Sequence, residues 1–458
     1  MAASVAPPSL LAVSLHTLQH DLASNIPEIQ SCPGEPAGTL QHAVTKLTDG
    51  ELPLDEDTCL GLEHVINLAY DKMASSPRQS STSWRRLYTD ACILRSLADI
   101  RSLLLTEDVQ LARSCIARLD HAIVIAGAPG ECRLDLIHIL ITQVQCRCLG
   151  FQVVTSSSHM VQPVFNSTMP EEQLLPIVES ASESVPRLQA PPSLTAFISQ
   201  YSRHPFIIPA FISDWPAMTQ HPWESPAYLR SVSGPGRVVP IEVGSDYRND
   251  DWTQQMMSWD NFLDALQPNR SQKGQPILYL AQHNLLTQFP QLRDDIVVPD
   301  YVYASLSAPD DYPQYCPPGN DDELIINAWL GPAGAVSPAH TDPFYNFYAQ
   351  VVGRKTVWLA PPDASPSMYP YPPPSSTAHD SPHNPAANNT SPSMSNTSQV
   401  DVFQSRAGAE ETRPMFWSDA VPRALAVTLE PGDLLFFPPG WWHAMRSEET
   451  SFSVSMWF

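Results

Sequence analysis

Two short runs far apart in the chain restrict its fold more than anything else in it: Ala339-His340-Thr341-Asp342-Pro343 and Phe436-Phe437-Pro438-Pro439-Gly440-Trp441-Trp442-His443. Side chains two residues apart on a strand project from the same face, so His340 and Asp342 suit a strand aimed at a common point. Leu429-Glu430-Pro431-Gly432-Asp433 reads as a Pro-Gly turn feeding the apolar strand Leu434-Leu435-Phe436-Phe437, which delivers His443 just beyond its end. Two imidazoles and one carboxylate are the donor set of a facial triad that holds Fe(II) while leaving positions open. A lone His-x-Asp pair arises easily by chance in a chain with 14 histidines. Here both runs have strand-like surroundings and flanking aromatics that can wall off a small pocket.

The rest of the composition bounds the partners. A net charge of −23 and a pI near 4.8 speak against a nucleic-acid-binding surface, which shows a basic patch, and favour a basic partner. Of the eight cysteines, Cys32, Cys59, Cys92, Cys115, Cys132, Cys146 and Cys148 fall in the first third, in apolar or helical contexts. They read as reduced thiols packed in a core; Cys146-x-Cys148 lacks the second pair that a structural metal site uses. No basic residue precedes Lys46, which fits neither a secretory signal nor a transit peptide, and no apolar run approaches the ~20 residues of a membrane span. A soluble intracellular protein of the nucleus and/or cytoplasm is expected.

At 458 residues the chain has room for two or three domains. From about residue 40 to 152 the pattern is helical: Trp84, Leu87, Ala91, Leu94 and Ala98 recur at spacings of three and four, with Arg85, Arg86, Asp90 and Arg95 between them. Gly127-Ala128-Pro129-Gly130 interrupts it. Residues 1–152 are therefore read as an α-helical domain, either a support or a dock for a partner protein. Residues 153–192, rich in Ser, Pro and Glu, are read as a linker, and 193–458 as a second domain. Within the latter, residues 361–398 are rich in Pro, Ser and Asn without Lys or Arg, the composition of a mobile surface loop. His379 and His383 in that loop are read as solvated rather than as ligands.

The run from Ile325-Ile326-Asn327-Ala328-Trp329 through His340-Thr341-Asp342-Pro343-Phe344-Tyr345-Asn346 to Gly353-Arg354-Lys355 resembles the jumonji-C (JmjC) oxygenases. Supporting stretches are Val239-Pro240-Ile241-Glu242-Val243, Tyr279-Leu280-Ala281-Gln282-His283, Asn396-Thr397-Ser398-Gln399-Val400-Asp401-Val402 and Ser451-Phe452-Ser453-Val454-Ser455-Met456-Trp457. The resemblance implies an α+β chain whose C-terminal domain is a double-stranded β-helix, a cupin-like jelly roll. It implies Fe(II) on His340, Asp342 and His443, with 2-oxoglutarate and O2 as co-substrates of an EC 1.14.11 dioxygenase. Gly353-Arg354 looks like a hairpin turn carrying Lys355 onto the neighbouring strand. A lysine there is costly to bury without an anion, and its position matches the family's co-substrate lysine. Asn346 and Tyr279 match polar groups that assist it. Ser337, Trp329 and Trp457 match pocket positions and read equally as core packing.

The implied reaction decarboxylates 2-oxoglutarate to succinate and CO2 and puts a hydroxyl on a substrate carbon. Between Arg293 and Arg354 there is no Lys or Arg, whereas nine Asp or Glu fall there, which suits either a cationic peptide or a solvated acidic face. Glu242 matches an acidic pocket position that accepts a guanidinium in bidentate fashion. Arginyl hydroxylation of a protein is therefore expected. Histone N-methyl-lysine demethylation is the alternative through the same core motifs, and a catalytically silent binding module is a third reading.

Overall fold

The structure is a computed structural model that describes residues 18, 34–49, 54–75, 78–103, 106, 108–152, 164–165, 178–249, 251–267, 276–372 and 394–458. The three-and-four periodicity of the first third becomes helices, among them α1 (Gly34–Thr48), α2 (Glu56–Ser75), α3 (Arg78–Leu103), α4 (Val109–Val124) and α5 (Arg133–Cys148). The Asp108 carboxylate starts α4 by accepting from the N–H groups of Gln110 and Leu111. Ala112, Cys115, Ile116, Leu119, Ala122 and Ile123 form its buried stripe. Gly127 (φ +78°) and Gly130 (φ +115°) supply the left-handed backbone that breaks the run before α5.

Two features depart from the simple pattern. Arg86 and Asp90, which stand between the apolar positions in the sequence, are buried: Arg86 Nε (3.0 Å) and Arg133 Nε (2.9 Å) each donate to a different Asp90 oxygen, so the charge is compensated inside the core. Of the thiols, Cys92 and Cys115 are core residues while Cys132 and Cys146 are exposed. Cys146 and Cys148, two apart on a helix, do not face each other. They belong to no metal-ligand group among the described residues. Nor, among those residues, is any helix long and apolar enough to cross a membrane.

The chain divides into two compact units. The helical unit also takes in residues 230–239 and 256–261. Within it, Asp120 on α4 accepts from Arg237 Nη2 (2.7 Å) and from the Val238 N–H (2.9 Å), which accounts for a carboxylate buried on an apolar helix.

The second unit holds most of the thirteen strands found among the described residues. In chain order they are β1 (Glu183–Ser184), β2 (Phe206–Ile208), β3 (Val238–Val243), β4 (Thr253–Ser258), β5 (Leu278–His283), β6 (Ile325–Gly331), β7 (Val336–Thr341), β8 (Asn346–Val352), β9 (Lys355–Ala360), β10 (Leu425–Leu429), β11 (Leu434–Phe437), β12 (Trp442–Ser447) and β13 (Ser451–Trp457). One sheet runs β1-β10-β9-β12-β7 and the other β2-β11-β8-β13-β6-β5-β3-β4. Leu429, Val357, Leu359 and Met445 of the first meet Ile207, Leu435, Tyr348, Trp329 and Tyr279 of the second in one core, the sandwich of a jelly roll. The expected β8–β9 hairpin does not form. β8 pairs with β11 and β13, β9 with β10 and β12, and the Gly353-Arg354 turn (Gly353 φ +65°) carries the chain from one sheet to the other.

Alternation on β13 prepares a polar interior. Ser453, Ser455 and Trp457 lie opposite Gln350, Tyr348 and Asn346 of β8, while Phe452, Val454 and Met456 point the other way. Serines facing inward, with apolar residues packed behind, are what a lined pocket needs and a dry core does not.

Both faces of β9 and β12 are covered. Ala364, Met368, Val400, Val402, Phe416 and Trp417 pack on the face bearing Trp358, Ala360, Trp442 and Ala444. For this reason the ends of the stretch expected as a mobile loop, residues 361–372 and 394–398, are built into the fold. Its middle, with His379 and His383, lies outside the described residues. Similarly, residues 178–192 of the expected linker contribute β1, parallel to β10, and the buried Val185.

Candidate metal centre and co-substrate pocket

β7 and β12 are antiparallel neighbours in a register that sets His340 directly opposite His443. His443 is thus held within a strand instead of trailing from the end of β11, and its ring centroid lies 4.2 Å from that of His340. Asp342 follows the last residue of β7, where its carbonyl accepts from the Gly440 N–H at 2.8 Å. Its carboxylate is 3.4 Å from His443 Nε2 and 3.9 Å from His340 Nε2.

Both rings are oriented by backbone carbonyls. His340 Nδ1 donates to Pro338 O (2.7 Å) and His443 Nδ1 to Trp441 O (3.0 Å). A carbonyl only accepts, so Nδ1 carries the proton and the lone pair on Nε2 faces Asp342. Burial, reinforced by His443, pushes His340 down to about 4 and leaves it neutral near pH 7. Burial would raise Asp342, but the close contact with His443 and the proximity of both imidazoles hold its carboxyl below the ordinary range. One donor atom from each residue lies within 4.8 Å of the others, and no other such group occurs among the described residues. Donors about 2.1 Å from a shared ion sit roughly 3 Å apart, so small side-chain rotations close this set around a metal. Two neutral imidazoles and an anionic carboxylate fit a divalent ion of the Fe(II) class.

Lys355 opens β9 and is fully buried. Its Nζ donates to Tyr348 Oη (3.0 Å) and Tyr279 Oη (3.2 Å), both neutral acceptors, and burial pushes the amine down to about 7. A buried amine whose hydrogen-bond partners are two phenols fits an incoming carboxylate. Lys355 and His443 share a face: Leu359, four residues along β9, is opposite His443, which separates the two positions by roughly 13 Å of strand.

Other expected residues gather on the same interior. Among the described residues, the buried Asn346 has no partner for its Oδ1, and neither does the Trp457 indole N–H directly opposite. Trp329 Nε1 donates to Ser455 Oγ (3.0 Å), and Ser337 bonds the Tyr279 hydroxyl. Glu242 on β3 lies opposite Tyr279 on β5, so the two share a face. Burial raises its carboxyl, only partly offset by the Trp252 indole beside it. Trp252 Nε1 itself completes no well-formed hydrogen bond among the described residues.

Three residues of this interior escaped the sequence reading. Tyr348 is two positions from Asn346 on β8, and strand periodicity alone points to it. Tyr247, pushed up to about 12 by burial and by the charges of Asp342 and Glu242, stands beside both carboxylates, and Trp252 leans on Glu242. Both lie in or beside an irregular loop, where no periodicity marks which side chains turn inward.

Residues 196–458 match the family model described as a cupin-like domain. Over 407 residues the chain is 33% identical to the zebrafish (Danio rerio) protein named lysine-specific demethylase 8, covering 86% of each chain. Over 299 residues it is 38% identical to Jumonji C domain-containing protein 5 of Drosophila melanogaster, 64% of each. Over 302 residues it is 25% identical to the human bifunctional peptidase and (3S)-lysyl hydroxylase JMJD7, covering 60% of this chain and 84% of that one. With the jelly roll, the His-Asp-His group and a match spanning most of both chains, this protein belongs to the cupin-like JmjC family of 2-oxoglutarate-dependent oxygenases.

Proposed function

We propose that this protein hydroxylates a cationic side chain of a protein substrate, arginine in the first instance, using Fe(II), 2-oxoglutarate and O2. His340, Asp342 and His443 would hold the metal, and Lys355 with Tyr279 and Tyr348 the far carboxylate of the co-substrate. Asn346 and Ser337 complete that wall. When bound, iron and 2-oxoglutarate supply the oxidising chemistry that places one oxygen of O2 on substrate carbon and leaves succinate and CO2. The chain's own part is positional: two carbonyls fix the imidazole tautomers, β13 serines and β8 side chains line the cavity, and Trp329 and Trp457 keep bulk water out.

The observation that carries the substrate reading is Glu242. It is a half-buried carboxylate on the Tyr279 face, close enough for its charge to act on Tyr247 beside the metal-facing Asp342. A guanidinium gives such a carboxylate two parallel hydrogen bonds. Support for a polypeptide substrate comes from a groove of about 390 Å³ lined by Arg203, His204, Asp310, Asp311 and Tyr345. It lies where β2 and β8 begin and β11 ends, the strand ends that lead to Asp342 and His443.

A second reading, N-methyl-lysine demethylation, is favoured by the relatives named lysine-specific demethylase, and the relative named a lysyl hydroxylase widens the lysine class. Mass spectrometry of arginine-, lysine- and methyl-lysine-containing peptides incubated with enzyme, Fe(II) and 2-oxoglutarate separates them. Gain of one oxygen on arginine supports the first, and loss of a methyl group supports the second. Absence of succinate under all conditions leaves a silent binding module. Glu242→Gln is expected to raise KM for an arginine peptide by roughly tenfold to a hundredfold, the loss of a charge-assisted pair, with little change in substrate-free 2-oxoglutarate turnover. An unchanged KM removes Glu242 from substrate recognition.

Lys355 gives a pH dependence of defined sign. The dicarboxylate binds the ammonium form, and in the free protein that form is depleted as pH rises through about 7. Affinity for 2-oxoglutarate is therefore constant below that pH and falls above it, approaching about tenfold per pH unit. Calorimetric titrations at several pH values, with a metal that does not turn over, read this directly. Affinity that rises with pH contradicts the assignment.

A further inference from the structure

β7 ends the five-stranded sheet, and its outer edge presents the backbone of Thr341, the residue between the two ligands that the metal reading needs. Such an edge left bare frays, and ligand geometry would fray with it. Here it is covered by the short stretch that re-enters the fold after the Pro/Ser/Asn-rich region. Thr341 N–H donates to Asn396 O (3.0 Å), Asn396 Nδ2 donates to Thr341 O (2.9 Å), and Ser398 N–H donates to Ala339 O (2.7 Å). His340 and Thr397 pair as an antiparallel bridge. Asn396 therefore engages both backbone polar groups of the residue between His340 and Asp342.

The same stretch is tied down on its other sides. Tyr371 N–H donates to Thr397 O (3.0 Å) and Gln399 N–H to Tyr369 O (3.0 Å), so it cannot drift from β7 as a loose end. Thr397 is buried with its hydroxyl 3.4 Å from Tyr247 Oη, and Arg248, paired with Asp246, donates to Val400 O at 3.0 Å. One segment thus grips the ligand-bearing turn at one point and the Tyr247-Arg248 loop at the next.

We infer that Asn396 is a positioning residue for the metal centre, its side-chain amide fixing the relative direction of His340 and Asp342 through Thr341. The inference rests on the metal reading above. Without the amide, Thr341 keeps one of its two bonds to the strap, and the two ligands gain freedom that metal binding must then remove.

The test is Mn(II) titration of metal-free full-length protein, followed by the Mn(II) electron paramagnetic resonance signal, for the unaltered chain, Asn396→Ala and Gln399→Ala. Gln399 anchors the same stretch through its side chain to Pro370 O (3.2 Å) without touching β7, so it reports a strap merely loosened. Asn396→Ala is expected to weaken Mn(II) binding by roughly threefold to tenfold, the loss of one net hydrogen bond, and to broaden the bound signal. Gln399→Ala is expected to leave both unchanged. Equal affinity for Asn396→Ala and the unaltered chain overturns the inference alone, as does equal weakening by both variants. Failure of the unaltered chain to take up Mn(II) overturns the metal reading with it. Where affinities are too tight to rank, a Co(II) absorption spectrum distorted in Asn396→Ala but not in Gln399→Ala supports the inference, and identical spectra overturn it.

Discussion

Asp342→Ala is expected to lower Fe(II)-dependent succinate formation by on the order of a thousandfold or more, equivalent to about 4 kcal/mol of lost transition-state stabilisation. The size follows from its place in the set: an imidazole brings no negative charge to a metal, so Asp342 is the anionic donor to a dication. The same substitution removes the carboxylate that stands 3.4 Å from His443 Nε2, so two ligands lose their common partner in the set. The metal-free protein keeps its melting temperature within a few degrees, because the strand pairing of His340 with His443 does not use the carboxylate. Metal content by elemental analysis, together with succinate yield, reads the prediction. Full activity with normal iron in Asp342→Ala contradicts it.

Lys355→Met is expected to act in opposite directions on two observables. Affinity for 2-oxoglutarate falls by on the order of a hundredfold or more, because a buried carboxylate loses the ammonium and is left to two phenols. Stability of the free protein rises, because methionine fills similar volume without the cost of an amine held down to about 7 by its surroundings. A structural lysine behaves otherwise: its replacement lowers the melting temperature and spares co-substrate binding. Lys355→Arg is not expected to rescue, since a planar guanidinium does not fit a space shaped for Nζ between Tyr279 and Tyr348.

Much of the site was legible because its chemistry is written in short-range periodicity. His340 and Asp342 share a face by spacing alone, and Lys355 stood out as a charge heading an apolar strand. What sequence reasoning lost was decided by pairing across long separations. Gly353-Arg354 has hairpin length, yet it joins two sheets because β8 finds β11 and β13 whereas β9 finds β10 and β12. His443 was expected beyond a strand end and lies in a strand, since its neighbour is β7 and not the segment preceding it. Composition misjudged the limits of the Pro/Ser/Asn-rich stretch, whose ends bury Ala364, Met368 and Ser398. It also missed Arg86 and Asp90, whose burial needs Arg133 from another helix. The serines of β13 alternate in plain view, but only the opposing Tyr348 and Asn346 reveal that their face is a polar interior.

The most direct measurement is the anaerobic addition of Fe(II) and then 2-oxoglutarate to metal-free protein, followed by visible absorption. A chelated 2-oxoglutarate on ferrous iron gives a charge-transfer band. That band should saturate at one iron per chain, disappear in His340→Ala and Asp342→Ala, and require far more 2-oxoglutarate in Lys355→Met. A band that survives loss of Asp342, or that never forms in the unaltered chain with both components present, contradicts the assignment of this centre.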